Sequence, residues 1–158
     1  MKFFITALMC CTLLCFGGQA WAGGGKKVAI ISFHVETEAS DNPKMIFPHT
    51  MFGKQRYFRR IPEISSKDFI AYSPFPAKDQ ASYGAVFQLK DNARRRLAAI
   101  TSVNIGRWLV CQAFGRIVDG VMIDEPVDDG AIVIWQGLSI EEIRILDSSI
   151  SRIGEKKP

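Results

Sequence analysis

Four carboxylates cluster within a short stretch of the chain: Asp124, Glu125, Asp128 and Asp129. Paired carboxylates can act as general acid and base, or can bind Ca²⁺. No Asp-Thr-Gly or Asp-Ser-Gly sequence accompanies them, and the ligand spacing of a calcium-binding loop is absent. The pattern therefore favours a solvated hairpin tip. A secreted hydrolase that uses this carboxylate cluster is the alternative.

The chain has two histidines, His34 and His49, and His49 lies between Met45 and Met51. Imidazole and thioether groups together suit copper. Met45 and His49 are four residues apart and could share a helical face, but Pro48 disfavours a helix there. We therefore expect no metal site and no cofactor, and interpret His49 as an exposed loop histidine.

Two further candidate nucleophiles are better explained by structural roles. The Ser-Ser-Lys run at 65–67 is not part of a Ser-x-x-Lys or Gly-x-Ser-x-Gly motif. Cys111 lies in an apolar stretch, whereas a reactive thiol requires exposure and positive neighbours. The sequence thus indicates a buried, inert thiol and no catalytic residue.

The best binding candidate is a basic-aromatic ribbon that consists of Arg56, Tyr57, Phe58, Arg59 and Arg60. Basic and aromatic side chains in alternation can grip a peptide, a glycan or a nucleic acid. On a strand, Arg56 and Phe58 face one side while Tyr57 and Arg59 face the other. The alternative is an ordinary strand with one solvated face. If the ribbon binds polypeptide, we expect an extended segment to add beside it as a strand.

The first 22 residues are typical of a cleaved signal peptide. Lys2 is followed by an apolar run at 3–16 that is short for a membrane span, and Ala20-Trp21-Ala22 fits the small-x-small cleavage rule. Three of the four cysteines lie in this segment, so the mature chain keeps only Cys111 and forms no internal disulfide. We expect a periplasmic or secreted protein.

The mature chain is expected to form one domain. Residues 23–27 form a glycine-rich leader, 28–153 a single α+β domain, and 154–158 a tail. No other segment is long and apolar enough to span a membrane. The net charge of +4 for the whole chain is mild, and does not indicate a nucleic-acid partner.

Hydrophobic periodicity predicts seven strands and two helices. The strands are expected at 28–35, 55–60, 68–73, 83–89, 108–114, 117–127 and 131–135, and the helices at 91–106 and from 139 onward. Residues 36–48 are expected to form a loop because Asn42-Pro43 and Pro48 interrupt them. This order predicts an α+β fold, a mainly antiparallel sheet with two helices packed on one face.

Helix-capping residues and apolar stripes position these elements. Asp91 is expected to cap the first helix, and Ser139 with Glu142 forms a capping box at the second. The second helix should bury its stripe of Ile140, Ile143, Leu146 and Ile150. The expected core is Leu97, Ile100, Leu109, Ile132, Ile134, Ile143 and Leu146.

The second half of the chain carries a series of motifs in a fixed order. They are Thr101-x-x-Asn104-x-Gly106-Arg107-x-Leu109, Gly115-Arg116-x-Val118, Ile123-x-x-Pro126, Gly130-x-Ile132 and Gly137-x-Ser139-x-Glu141-Glu142. Together they resemble the head subdomain in the first periplasmic domain of SecD, of the SecDF protein-export family, over about residues 83–150. Phe114 and Val121 depart from the family pattern, which has Asp and frequently Pro at these places.

The resemblance implies a fold and an affinity for extended or unfolded polypeptide. It does not imply the export activity, because SecD also has transmembrane helices and a base subdomain, which we do not expect in this chain. The sequence therefore favours an exported, non-enzymatic module that binds extended polypeptide or an envelope protein. A module that binds the envelope surface through the ribbon is a further alternative.

Overall fold

The structure is a computed structural model that describes residues 30–155. The predicted signal peptide and leader therefore lie outside the described residues, as do 156–158 of the tail. The described residues form ten strands, two α-helices and one 3-10 turn at Ser66–Asp68.

Six strands form the first sheet. In chain order they are β1 (Ile31–Thr37), β2 (Ile46–Met51), β3 (Lys54–Arg59), β4 (Ile64–Ser65), β7 (Trp108–Ala113) and β8 (Arg116–Met122). Their spatial order is β2-β3-β1-β7-β8, with β4 beside β1, and each pair is antiparallel. The sheet curls strongly: Met51 on β2 packs against Gly120 on β8, although these strands stand at opposite ends of the order.

Four strands form the second sheet. They are β5 (Phe69–Pro76), β6 (Tyr83–Leu89), β9 (Ala131–Leu138) and β10 (Ser151–Arg152), in the order β10-β5-β6-β9. Only the short pair of β10 and β5 is parallel. The two helices are α1 (Asp91–Val103) and α2 (Ile140–Ser149). The α+β class and its mainly antiparallel pairing are thus confirmed, but the strands divide into two sheets rather than one.

One hydrophobic core joins both sheets and both helices. It includes Phe33 from β1, Phe87 from β6, Leu97 from α1 and Leu146 from α2. Of the seven expected core residues, six are buried and Ile100 is half-buried against the core. Tyr72 on β5 ties α2 to the second sheet, because its hydroxyl donates to the Ile143 carbonyl at 3.1 Å and to the Asp147 carboxylate.

Two local predictions at the helices are wrong. Asp91 is the first helical residue rather than the cap, because Lys90 holds the N-cap position and its amide is fixed to the Asp68 carbonyl at 2.9 Å. Ile140 begins the stripe of α2 but is 40% exposed, since the first turn of the helix extends beyond the core. The Ser139–Glu142 capping box is confirmed, with both reciprocal bonds present.

The segment expected to be a loop at 36–48 is also partly wrong. Its end belongs to β2, which forms a hairpin with β3 through Phe52 and Gly53, both at positive φ. Proline is tolerated in a strand at the edge of a sheet because its missing N–H costs no ladder bond there. Pro48 lies in β2, which is such an edge strand, so it did not interrupt the strand as expected.

Candidate functional site

The two sheets meet at β8 and β9, which are neighbouring edge strands that do not pair with each other. Side chains hold them together at one end: the Trp135 amide donates to Asp119 at 2.6 Å, and Arg116 donates to the Gly137 carbonyl at 2.8 Å. Gly137 allows this approach because its φ is +94° and an added Cβ would lie 2.7 Å from the Val118 carbonyl oxygen. Beyond this junction no backbone hydrogen bonds of a sheet connect β8 with β9.

A groove of about 370 Å³ lies between these strand edges. Its floor is apolar and is made by buried core residues, Leu97, Leu109 and Ile132. Met122 on β8 and Trp135 on β9 stand beside it, 54% and 58% exposed. Large apolar side chains that are exposed next to an apolar floor are typical of an interaction site.

The four carboxylates lie on the loop that joins β8 to β9, and all are exposed. Asp124, Glu125 and Asp129 line the mouth of the groove. The expected solvent exposure is therefore confirmed, but the loop is not a hairpin tip because β8 and β9 belong to different sheets. The loop is fastened to α1 where the Val127 amide donates to the Thr101 hydroxyl at 2.8 Å.

A second cleft, of about 470 Å³, lies under the β2–β3 hairpin. Both histidines, Phe47, Arg60 and Gln112 contribute to its walls. His34 lies on β1, within the strand predicted at 28–35, and is 4% exposed. Its Nδ1–H donates to the Arg59 carbonyl, and its Nε2 pairs with the Ser32 hydroxyl, both at 2.8 Å. His49 is not an exposed loop residue as expected, because it lies half-buried on β2.

Burial sets the charge state of His34. It lowers the pKa of the imidazole below 6.5, against smaller opposing effects of the Arg59 carbonyl and Glu63. Within 30–155, no three His, Cys, Asp or Glu side chains are arranged to hold a metal ion. Burial likewise raises the pKa of Cys111, which is 2% exposed, so this thiol has the environment of an inert one.

The structure divides the basic-aromatic ribbon between interior and surface. Phe58 is fully buried, and Arg56 turns inward, where it pairs with Glu36 at 2.6 Å and lies 5.4 Å from the centre of the Trp108 ring. Tyr57 is half-buried, while Arg59 and Arg60 are exposed. The ribbon strand β3 is flanked by β2 and β1, so it is not itself a sheet edge.

The serines at 65–66 hold the chain in place. Ser65 forms a capping box with Asp68, whose carboxylate also pairs with Arg96 at 2.9 Å. The Ser66 hydroxyl accepts a bond from the Ile31 amide at 2.8 Å. Neither serine has a described histidine or lysine as hydrogen-bond partner, so these contacts agree with a structural role.

Sequence reasoning missed the groove, although it selected the acidic loop that borders it. No sequence signal marks an unpaired edge, because strand pairing depends on partners far away in the chain. The only local signal was Met122, a large apolar residue two positions before Asp124. None of the helices within the described range is long and apolar enough to cross a membrane.

The described fold is an α+β domain with two curled, mainly antiparallel sheets, and it matches solved structures of SecDF. One of these, a membrane component that enhances protein export, superposes with a TM-score of 0.53 at 15% identity and covers 82% of this chain and 69% of that chain. A second, SecDF in a super-membrane-facing form, gives 0.53 at 17% identity and covers 78% of this chain and 19% of that one.

The chain therefore has a SecD-like fold, as the motif series in 83–150 predicted, and the structural likeness extends over much more of the chain than those motifs. No family model and no curated protein matches the sequence. At this level of identity the likeness concerns the fold, so function must be argued from the site.

Proposed function

We propose that this protein is a non-enzymatic accessory module of the cell envelope that binds extended polypeptide. The observation that carries the proposal is the groove between β8 and β9, where two unpaired strand edges border an apolar floor. One of the solved structures that this chain resembles is a membrane component that enhances protein export. The predicted signal peptide would deliver the module to the periplasm or outside the cell.

The chemistry of the groove suits binding better than catalysis. Among its lining residues, the only hydroxyl belongs to Thr101, and it is already engaged with the Leu97 carbonyl and the Val127 amide. The neighbouring carboxylates are exposed on a loop and face no described histidine or serine across the groove. Apolar floor and free backbone edges, by contrast, are the two features that hold a peptide in an extended conformation.

Other sheet edges offer less to such a ligand. The outer edge at β2 contains Pro48, which lacks an N–H donor and so interrupts a row of backbone bonds. The accessible part of the ribbon lies next to β2 and consists of Tyr57, Arg59 and Arg60. Its role as a second contact surface remains a prediction. Exposed arginines would add a salt-sensitive contribution of about 0–1 kcal/mol each.

Binding of an unfolded polypeptide tests the proposal. We would titrate the chain from residue 23 onward with a reduced, carboxymethylated protein that cannot fold, and follow fluorescence anisotropy. The groove variant Met122→Ala with Trp135→Ala should bind at least about tenfold more weakly, because it removes the two exposed apolar side chains beside the floor.

The ribbon variant Tyr57→Ala with Arg60→Ala is the matched control, since it also truncates two large side chains, the half-buried Tyr57 and the exposed Arg60, outside the groove. We expect its affinity to stay close to that of the wild type. Loss of binding in the ribbon variant alone would assign the function to the ribbon instead. Failure of the wild type to bind at high micromolar concentration would overturn the proposed function.

A further inference from the structure

The backbone of β8 turns free hydrogen-bonding groups toward the groove. In an antiparallel pair, successive residues of a strand point their N–H and C=O groups alternately to the two sides. Two amides show which residues of β8 point toward β7 and which point away from it. The Ile123 amide donates to the Arg107 carbonyl, on the β7 side, whereas the Trp108 amide on β7 donates to Glu36, away from β8. Since Met122 faces Trp108 in the register, its own N–H and C=O point to the groove.

The backbone of β9 does the same from the opposite wall. The Trp135 amide points toward β8, because it donates to Asp119. By alternation, the N–H and C=O of Val133 point the same way, two residues nearer the mouth. The Gly130 carbonyl accepts from Leu89 on the β6 side, so Ile132 and Ile134 continue that phase toward β6. The backbone groups of Met122 and of Val133 thus face each other across the groove, and the junction at Asp119 and Gly137 closes one end.

We propose that an extended polypeptide segment docks in this groove as an added strand that joins the two sheets, and that the acidic mouth selects segments carrying Lys or Arg. This inference rests on the proposed function and names its substrate class. Backbone bonds of the segment would run to Met122 on β8 on one side and to Val133 on β9 on the other. Alternate side chains of the segment would pack on the floor of Leu97, Leu109 and Ile132.

Charge complementarity identifies the occupant. Asp124, Glu125, Asp128 and Asp129 are all exposed on the loop that spans the end of the groove opposite the junction. The side chain of Arg94 packs over Gly130 in this loop, while the nearby Lys90 bonds the Lys67 carbonyl and Arg107 pairs with Glu38. Four exposed carboxylates beside the Arg94 guanidinium favour a segment with basic residues beside its apolar ones over an acidic one.

Three peptides of equal length test both parts of the inference. The first alternates apolar residues with Ser and carries two Lys at one end; the second replaces both Lys with Glu. The third is the Lys peptide with N-methyl groups on alternate backbone amides, which removes the donors of one row. Affinity is measured by isothermal titration, and protection of the Met122 and Val133 amides by hydrogen exchange in NMR spectra.

We expect the Lys peptide to bind about fivefold or more tightly than the Glu peptide at low salt. It should slow exchange at Met122 and Val133, and the methylated peptide should lose most of the affinity. In the mouth variant Asp124→Asn with Glu125→Gln the preference for Lys should shrink. It should persist in the control Glu141→Gln with Glu155→Gln, which removes two exposed carboxylates elsewhere.

The contrary outcomes separate the claims. Equal binding of the Lys and Glu peptides would overturn the charge selection while leaving polypeptide binding intact. Undiminished binding of the methylated peptide, or unchanged exchange at Met122 and Val133, would overturn strand addition in the groove. No binding by any peptide, together with none by the unfolded protein, would overturn the proposed function itself.

Discussion

At the scale of single residues, burial converts several polar side chains from candidate ligands into parts of the fold. Both ring nitrogens of His34 are paired, with the Arg59 carbonyl and the Ser32 hydroxyl. Arg56 pairs its Nη1 with Glu36 beside the Trp108 ring, although its buried Nε has no partner. A buried polar group left unpaired costs roughly 1–3 kcal/mol. The pairing of His34 and of the Arg56 Nη1 therefore stabilises the fold.

His34 predicts a pH dependence of stability. Its pKa in the folded chain is lowered below 6.5, the value expected when unfolded, so the unfolded chain takes up the proton first as pH falls. Its contribution to the free energy of unfolding is therefore complete above pH 6.5, and is lost as pH falls from there toward the folded pKa. Urea titrations at pH 7.5 and 5.5 measure the loss.

The variants His34→Gln and His49→Gln provide the comparison. The free energy of unfolding should change less between pH 7.5 and 5.5 in His34→Gln than in the wild type, whatever the absolute stability of the variant. The wild-type change should persist in His49→Gln, which alters a ring in the wall of the same cleft. An unchanged slope in His34→Gln would show that other groups set the pH dependence.

At the scale of elements, the junction of β8 and β9 decides whether the groove exists. Two glycines at positive φ shape this region for different reasons, Gly115 in the turn between β7 and β8 and Gly137 within β9. Gly115 completes the tight turn after Phe114, and an added Cβ there would meet nothing within 4 Å. Gly137 also has a positive φ, and in addition its missing Cβ leaves room for the Val118 carbonyl oxygen.

Alanine at these two glycines should therefore cost different amounts. Gly115→Ala adds only the backbone strain of positive φ, about 1–2 kcal/mol. Gly137→Ala adds the same strain and a collision with the Val118 carbonyl, a further cost of about 1–3 kcal/mol. Chemical denaturation of both variants checks the order, and equal costs would show that β8 moves away from β9 freely.

At the scale of the whole molecule, two sheets share one core but leave their adjoining edges unpaired. Natural proteins usually protect such edges, because they invite pairing with another chain. Here the SecD-like fold places these edges beside an apolar floor and an acidic loop. The arrangement gives the proposed function a defined location.

Export of the whole chain is a separate prediction that concerns residues outside the described range. The apolar run at 3–16 and the Ala20-Trp21-Ala22 site predict cleavage after Ala22. Intact-mass measurement of protein isolated from the native envelope should show Gly23 at the N-terminus. A retained Met1, or a lipid attached to a cysteine, would contradict the predicted processing.

The sequence by itself determined the features that depend on neighbouring residues. The Ser139–Glu142 capping box and the burial of Ile143 and Leu146 in the stripe of the second helix both follow from local spacing. The α+β class followed from the order of such elements, and the motif series predicted the SecD-like fold. These features depend on residues close together in the chain, so the sequence pattern alone can predict them.

Only the tertiary structure decided which strand edges pair. Alternation in β8 and β9 predicts two strands but not their division between two sheets, because their partners β7 and β6 are fixed by packing across the whole core. The same long-range packing buried Phe58 and His34, and placed β2 at an edge where Pro48 is tolerated. The groove is a product of that pairing, since it exists only where β8 and β9 adjoin without a ladder between them.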